Sequence, residues 1–299
     1  MAPRRDSATL PCPVCAAASG LAFRHRDADL YRCPDCDHCF SDIASMRAEE
    51  PYDARYYDET HRNWFEHPHV WLFEQIRRRL RNLGSAPSVL DIGCGRGDFL
   101  RWLHAKEPAW DLTGIDLSAN PPLPGVTLLQ GDVMHEPPTR RYDAVVNLAV
   151  IEHVADVRAF TNVLRSSCRP GGTIVIMTIN DRSTLYATAR LLRRAGFSTA
   201  FDRLYERHHL NHFTIRSLRR LVELQGLTIL ETLRHNTPMD AVDMPPAGWW
   251  STAARRLGVR GAFLTGRLTG RTFLQTVVCR APEPEAAPAG GSGAGLLGA

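Results

Sequence analysis

Lysine is nearly missing from this chain of 299 residues: Lys106 stands alone, and arginine supplies the rest of the 36 basic side chains. Almost no lysine is therefore available to act as a catalytic base. Long apolar runs are lacking too. No stretch approaches the roughly 18–20 residues that a membrane-spanning helix needs, and Met1-Ala2-Pro3-Arg4-Arg5-Asp6-Ser7 carries no apolar signal core. The cytosol is the expected compartment. Excess charge is absent as well: 36 basic residues face 32 acidic ones, and a net +4 is too small to argue for a nucleic-acid partner. Internal repeats are not found. What remains is an ordinary globular composition, 44% apolar and 8% aromatic, long enough for one full α/β domain and a small appendage.

Cysteine is unevenly spread. Cys12-x-x-Cys15 and Cys33-x-x-Cys36-x-x-Cys39 crowd into the N-terminal segment. Two such pairs about 17 residues apart match a four-thiolate zinc ribbon, in which each pair offers two sulfurs to one tetrahedral ion. Cys12, Cys15, Cys33 and Cys36 are the expected ligands of a structural Zn2+, with Leu30-Tyr31-Arg32 as the strand feeding the second pair. Two departures stand out. The glycine that usually follows each pair is replaced by Ala16 and by Asp37, and Cys39 and His38 compete for the fourth position. Disulfides are the alternative, which a cytosolic setting disfavours.

Past a polar link and a tyrosine-rich stretch, Tyr52 to Tyr57, the residues His69 to Leu83 read as an amphipathic helix with Val70, Phe73, Ile76 and Leu80 on one face. Then comes the most informative stretch, Leu90-Asp91-Ile92-Gly93-Cys94-Gly95-Arg96-Gly97. A buried strand runs into a glycine turn and a helix, and such a turn lets a ligand press on bare backbone amides. The Gly-x-Gly-x-x-Gly spacing is absent, which counts against a nicotinamide cofactor. An acid before the glycines would repel a pyrophosphate and attract a cationic amino group. Asp116 ends a second apolar strand, placed to accept both hydroxyls of a ribose. Asp132 follows a third, with Val133 beside it to pack on a ring. Three prolines in Ser118 to Gly125 leave no room for a crossover helix there.

These positions resemble the class I S-adenosylmethionine (SAM) methyltransferases, especially the small-molecule group that includes ubiquinone-pathway O-methyltransferases. The resemblance runs from about Ser88 to Arg280. It implies that Asp91 and Gly93, Gly95 and Gly97 hold the methionine part of SAM, Asp116 and Leu117 the ribose, and Asp132 and Val133 the adenine. Asn147 completes the cofactor set. The fold expected is α/β: a doubly wound, Rossmann-like, seven-stranded sheet with an antiparallel last strand, plus a small N-terminal zinc ribbon. The ribbon should occupy 1–45, a helical link or lid 46–84, and the methyltransferase domain 85–280. An insertion at 181–212 and a disordered tail at 281–299 complete the division. Helices are expected over Ala155 to Cys168, Leu185 to Arg194 and Phe213 to Gln225. A loop-rich segment with Pro245, Pro246, Trp249 and Trp250 leads to the last strand, Thr272 to Cys279. The tyrosine-rich stretch is similar to one found ahead of the catalytic domain in zinc-ribbon methyltransferases of bacterial biosynthetic clusters.

Methyl transfer needs the acceptor held in line and close, and a base where the acceptor must lose a proton. Histidine suits that task near neutrality. His209 is the favoured base, His212 the second choice, and the Glu152-His153 pair after the fourth strand the third. Arg190, Arg193, Arg194, Arg203 and Arg207 offer either a solvated basic face or a clamp for an acceptor carboxylate or phosphate. Trp249 and Trp250 either wall the acceptor or simply pack. The expected partner is a small-molecule acceptor, with O-methylation favoured. The sequence argues against nucleic acid, although an RNA base methyltransferase with a ribbon for RNA binding stays open, as does a non-catalytic SAM- or zinc-binding scaffold. Nothing in the sequence addresses oligomeric state.

Overall fold

The computed structural model describes residues 9–46, 62–244 and 249–283. The tyrosine-rich stretch, Pro245, Pro246, the side chains of Trp249 and Trp250, and the tail from 284 lie outside the described residues. The first two strands, β1 (Leu10–Pro11) and β2 (Ala18–Phe23), flank the first cysteine pair; β3 (Leu30–Arg32) and β4 (Cys39–Ser41) flank the second. All four pair antiparallel. Ala16 and Asp37, the residues that replace the usual glycines, both take left-handed backbone, with φ of 64° and 63°. Each turn thus keeps the glycine conformation without the glycine, at a cost on the order of 1 kcal/mol per residue.

Two helices follow, α1 (Arg62–Glu66) and α2 (Val70–Leu80). The face α2 buries is Leu72, Phe73, Ile76 and Leu80. Val70, expected on that face, is 47% exposed, because a stripe through Leu72 and Phe73 leaves the first residue of the helix off its edge.

The main sheet alternates strand and helix: β5 (Ser88–Ile92), α3 (Asp98–Lys106), β6 (Asp111–Asp116), β7 (Thr127–Gln130), β8 (Tyr142–Leu148), α4 (Val157–Ser167) and β9 (Cys168–Ile179). Then come α5 (Thr184–Arg194), α6 (Thr199–Leu204), β10 (Asn211–His212), α7 (Ile215–Leu224), β11 (Thr228–His235), α8 (Trp249–Thr269) and β12 (Leu274–Arg280). Seven strands join in the order β11-β12-β9-β8-β5-β6-β7. The last strand, β12, runs antiparallel to both β9 and β11, while β5 to β9 are parallel. Every residue of β5 is buried, as are Val145, Ile174, Val175 and Ile176, which is why these segments read as unbroken apolar runs. Between β6 and β7 there is no helix; Leu123 bridges Val126 across a short turn, as the prolines require. The order reverses between β5 and β8, and an open α/β sheet leaves its ligand crevice at the carboxyl ends beside such a reversal.

One expected loop is a helix. Residues 249–269 form α8, although Gly258, Gly261 and Gly266 weaken it locally. Packing outweighs propensity here: Ala262 and Phe263 are buried, and a Cβ on Gly266 would stand 2.6 Å from the Arg271 carbonyl oxygen. No helix of the described residues is long and apolar enough to cross a membrane.

The segment read as an insertion contains a second helix, α6, and ends in β10, which leaves the main sheet and joins the ribbon. Asn211 pairs with Phe40 and His212 with Cys39, antiparallel to β4. Arg32 donates to Asp181 at 2.6 Å, and Arg182 pairs with Asp37. Ribbon residues consequently share core clusters with the sheet: Cys12, Tyr31 and Phe40 in one, Leu30 and Cys39 in the other.

Directly after β10, Thr214 caps α7. Its hydroxyl accepts from Ser217 N at 3.1 Å while the Ser217 hydroxyl accepts from Thr214 N at 2.9 Å, a reciprocal box; Gly226, at φ 74°, follows the helix. Replacing Thr214 with Ala should lower stability by about 1 kcal/mol, with Thr214→Ser sparing most of it, since the hydroxyl does the capping. Urea unfolding of the two variants checks this; equal midpoints would refute it.

Candidate active site

A cleft of about 560 Å³ opens at the carboxyl ends of β5, β6 and β8. Its first half is acidic and backbone-rich. Asp91 lies on β5, 2% exposed, with Oδ1 unpartnered. Burial, reinforced by the Asp116 charge, pushes the Asp91 carboxyl up to about 8. Gly93 and Gly95 hold φ of 73° and 52°. A Cβ on Gly93 would meet the Val150 side chain at 2.3 Å, so the turn needs glycine there for close approach as well as for its φ. Gly97 begins α3 with φ 74° and packs against Leu123, behind the cleft wall.

At the end of β6, Asp116 accepts from Gly95 N and from Ser118 N, both at 2.9 Å, one on each carboxylate oxygen. Each oxygen keeps a lone pair for a further donor. Leu117 beside it lines the cleft rim and is 59% exposed. Asp132 accepts from Met134 N at 2.8 Å and pairs with His135 at 2.6 Å. The penalty of burial on its charge is outweighed by these bonds, which hold its carboxyl below the usual range. Val133 is buried and faces the same cavity. Asn147 is placed differently: fully buried, it donates to the Ile92 carbonyl at 2.9 Å and ties β8 to the end of β5 behind the cleft.

The other half brings the Glu152-His153 turn against the histidine-rich segment. Glu152, His153 and His209 set a carboxylate oxygen and two imidazole nitrogens within 4.8 Å of one another. Glu152 accepts from the Thr178 hydroxyl at 2.8 Å, and burial nonetheless pushes its carboxyl up to about 7. The ring Nδ1 of His153 lies 2.8 Å from the His208 carbonyl oxygen. A carbonyl only accepts, so Nδ1 carries the hydrogen, and Nε2 of the neutral ring carries the lone pair. His209 stacks obliquely on His153, ring centroids 4.9 Å apart, with Glu206 at 3.5 Å from its Nε2. His212 is not part of this group. It is fully buried between Tyr205 and Tyr186, and burial holds its charged form well below the ordinary range.

Of the five arginines, only Arg203 lines the cleft. Arg190 turns inward to Asp181 and Tyr205, Arg193 covers the Phe201 ring at 4.1 Å, Arg194 is exposed and Arg207 is half-buried. Trp64, Thr237, Asp243, Phe263 and Phe273 wall the far side. Sequence reasoning passed over them, because they come from α1, the loop after β11, α8 and the turn before β12, which only tertiary folding brings together.

The four ribbon thiols form a second group, with Sγ–Sγ separations of 3.5 Å for Cys12–Cys36, 3.4 Å for Cys15–Cys33 and 3.5 Å for Cys15–Cys36. Cys39 packs instead in the sheet-side core, and His38 Nε2 donates to Asn211 at 3.1 Å.

Comparison with known proteins agrees with this layout. Residues 60–232 match the family model described as a methyltransferase domain. A ubiquinone biosynthesis O-methyltransferase of Cereibacter sphaeroides is 32% identical over 136 residues, covering 40% of this chain and 54% of that protein. A tRNA U34 carboxymethyltransferase of Pseudoalteromonas atlantica is 28% identical over 152 residues, 45% of this chain and 46% of that one. The chain thus spans about half the length of these curated relatives. A chain from the complex of the Haloferax volcanii Trm112 methyltransferase activator with a methyltransferase superposes with a TM-score of 0.55 at 17% identity, covering 79% of this chain and 100% of that one, a likeness of fold alone. Its strand order, and a family match that takes in more than half of its residues, establish that this chain belongs to the class I SAM-dependent methyltransferases.

Proposed function

We propose that the protein transfers the methyl group of SAM to an oxygen of a small-molecule acceptor. The observation that carries this reading is the fixed tautomer of His153, whose Nδ1 donates to the His208 carbonyl and whose ring lines a cleft that is acidic on one side and apolar on the other. SAM, when bound, supplies a sulfonium methyl open to in-line displacement. Asp91 would meet the amino group of its methionine part, the Gly93–Gly95 turn would let that part lie close against the backbone, Asp116 and Leu117 would meet the ribose, and Asp132 and Val133 the adenine. Gly97 and Asn147 shape the turn and strand end from behind.

On the acceptor side, His153 Nε2 takes the proton that leaves a hydroxyl as its oxygen attacks the methyl carbon. Between them, Glu152 and His209 stabilise the imidazolium that results. Arg203 is placed for an anionic acceptor group, and Trp64, Phe263 and Phe273 for an apolar body. The favoured base thereby passes from His209 to its neighbour, and His212 takes a packing role.

Structural zinc belongs to the same reading. A tetrahedron with metal–sulfur bonds of about 2.3 Å has edges of about 3.8 Å, close to the thiol spacing observed. Cys12, Cys15, Cys33 and Cys36 would hold the ion, with a ribbon over 1–45, a link over 46–84 and the methyltransferase domain over 85–280.

Three outcomes are expected. Because Asp91 must ionise to meet an ammonium group, SAM binding below its folded pKa of about 8 should release a proton. The affinity should then rise about tenfold per pH unit up to that point. The same raised pKa stabilises the ligand-free protein below the unfolded carboxyl's range, and that contribution is lost as pH climbs towards 8. Calorimetry in buffers of different ionisation heat measures the proton; no release, with parent affinity in Asp91→Asn, would refute the assignment.

Metal analysis should find about one zinc per chain, lost in Cys33→Ser. A zinc-free parent protein would remove the metal from the reading.

Finally, isotope-labelled methyl from SAM, offered with catechols, phenols, hydroxy acids or total RNA, should enter the small molecules. His153→Ala should slow that transfer by roughly 10²–10⁴-fold while SAM still binds. Label in RNA overturns the acceptor class; a fast His153→Ala with a slow His209→Ala moves the base to His209.

A further inference from the structure

The ribbon reaches the acceptor end of the cleft through one side chain. Asn211 is 2% exposed and bonded at both ends of its amide. Its Oδ1 accepts from His38 Nε2 of the ribbon at 3.1 Å, and its Nδ2 donates to the Val154 carbonyl at 2.7 Å. Val154 directly follows His153. The backbone just before Asn211 carries the His208 carbonyl that fixes the His153 ring, and the ribbon grips that stretch too. Ser41 N donates to the Leu210 carbonyl at 2.9 Å, and the Ser41 hydroxyl donates to the His209 carbonyl at 3.3 Å. Both partners of the His153–His208 contact, the ring and the carbonyl, are therefore referenced to β4.

We propose that Asn211, held by His38, is a positioning residue, and that the ribbon strand β4 is the part of this molecule that sets the tautomer of His153. A histidine ring carries its hydrogen on whichever nitrogen its neighbours satisfy, and the side chain in water, its ring substituted beside Nδ1, favours Nε2–H. The His208 carbonyl reverses that preference only while it stays within hydrogen-bond reach of Nδ1. Loss of the β4–β10 register withdraws the carbonyl, and Nε2 then holds the hydrogen and cannot take one. The effect acts through backbone placement. The titratable groups set against the His153 ring are Glu152 and His209, with Glu206 beside His209, and they come from outside the ribbon.

This rests on His153 being the proton acceptor, but its test does not need the acceptor. In protein with isotope-labelled histidine nitrogens, long-range proton–nitrogen correlation reports which ring nitrogen is bare. The signals lost in His153→Gln identify the ring. In the parent, His153 should show Nδ1–H. In Asn211→Ala that tautomer should be lost in favour of Nε2–H, while calorimetry shows unchanged affinity for S-adenosylhomocysteine. A parent with Nε2–H, or an Asn211→Ala variant that keeps Nδ1–H, overturns the proposal. Should Asn211→Ala fail to bind S-adenosylhomocysteine, Ser41→Ala, which removes a single hydroxyl, carries the same test: a retained Nδ1–H population equal to the parent's overturns it, and a reduced one supports it. Slow methyl transfer in His153→Ala tests the base; the tautomer tests its link to the ribbon, so the two fail separately.

Discussion

Five residues of extended backbone, three in β4 and two in β10, join the two parts of this molecule. The histidine-rich side of the cleft is tied to that seam. On one side of it lie the cysteine turns, on the other the histidine-rich segment, the cap of α7 and the buried carboxylate of Asp181. The seam is short, so its register is not secured by many ladder bonds. It is secured by side chains that cross it: Asn211 to His38, Arg32 to Asp181, and Arg182 to Asp37. Asp181 is fully buried and takes Arg32, Arg190 and the Tyr205 hydroxyl at once. A carboxylate so placed is costly to leave unpaired, so it strongly favours the docked arrangement.

The cleft shows how one sheet serves two demands. One half uses strand ends, where the reversal between β5 and β8 leaves Asp91 and Asp116 lining a crevice. These positions are dictated by topology and vary little with packing. The other half is assembled from a turn, a loop, the first helix and α8, none adjacent in sequence. On the proposed reading the methyl donor lies on the rigid part and the surface that selects an acceptor on the assembled part.

That division also explains what could be read from the chain alone. The parallel strands β5, β6, β8 and β9 were legible because burial on both faces makes them nearly continuous apolar runs, and the Asp91, Asp116 and Asp132 series was read from the strand ends. The cysteine pairs were legible through spacing. The prolines between Ser118 and Gly125 gave their loop correctly. Other features carried no local signal. A two-residue strand has no periodicity, so β10 read as a polar catalytic loop and its role as a seam stayed hidden. Glycines and the prolines before it masked α8, which packing holds in place. Val70 and Leu72 exchanged places because a stripe of apolar residues fits a helix in more than one phase. His212 resembled its neighbours in sequence but alternates with His209's side of the segment, and faces tyrosines instead of the cleft. Trp64 and Phe263 had no reason to be linked before the chain folded.

The left-handed residues behind the cysteine pairs are unequal. Asp37 is anchored by Arg32 and by Arg182, so its strained backbone is clamped from two directions. Ala16 has only a methyl group and depends on the turn bond from its own N–H to the Cys12 carbonyl. The first turn is held by packing instead: Cys12 and Val14 are buried in a core cluster that includes strands of the main sheet. The two turns therefore answer to different conditions. Added salt screens the ion pairs that clamp the second turn and leaves the apolar packing of the first intact.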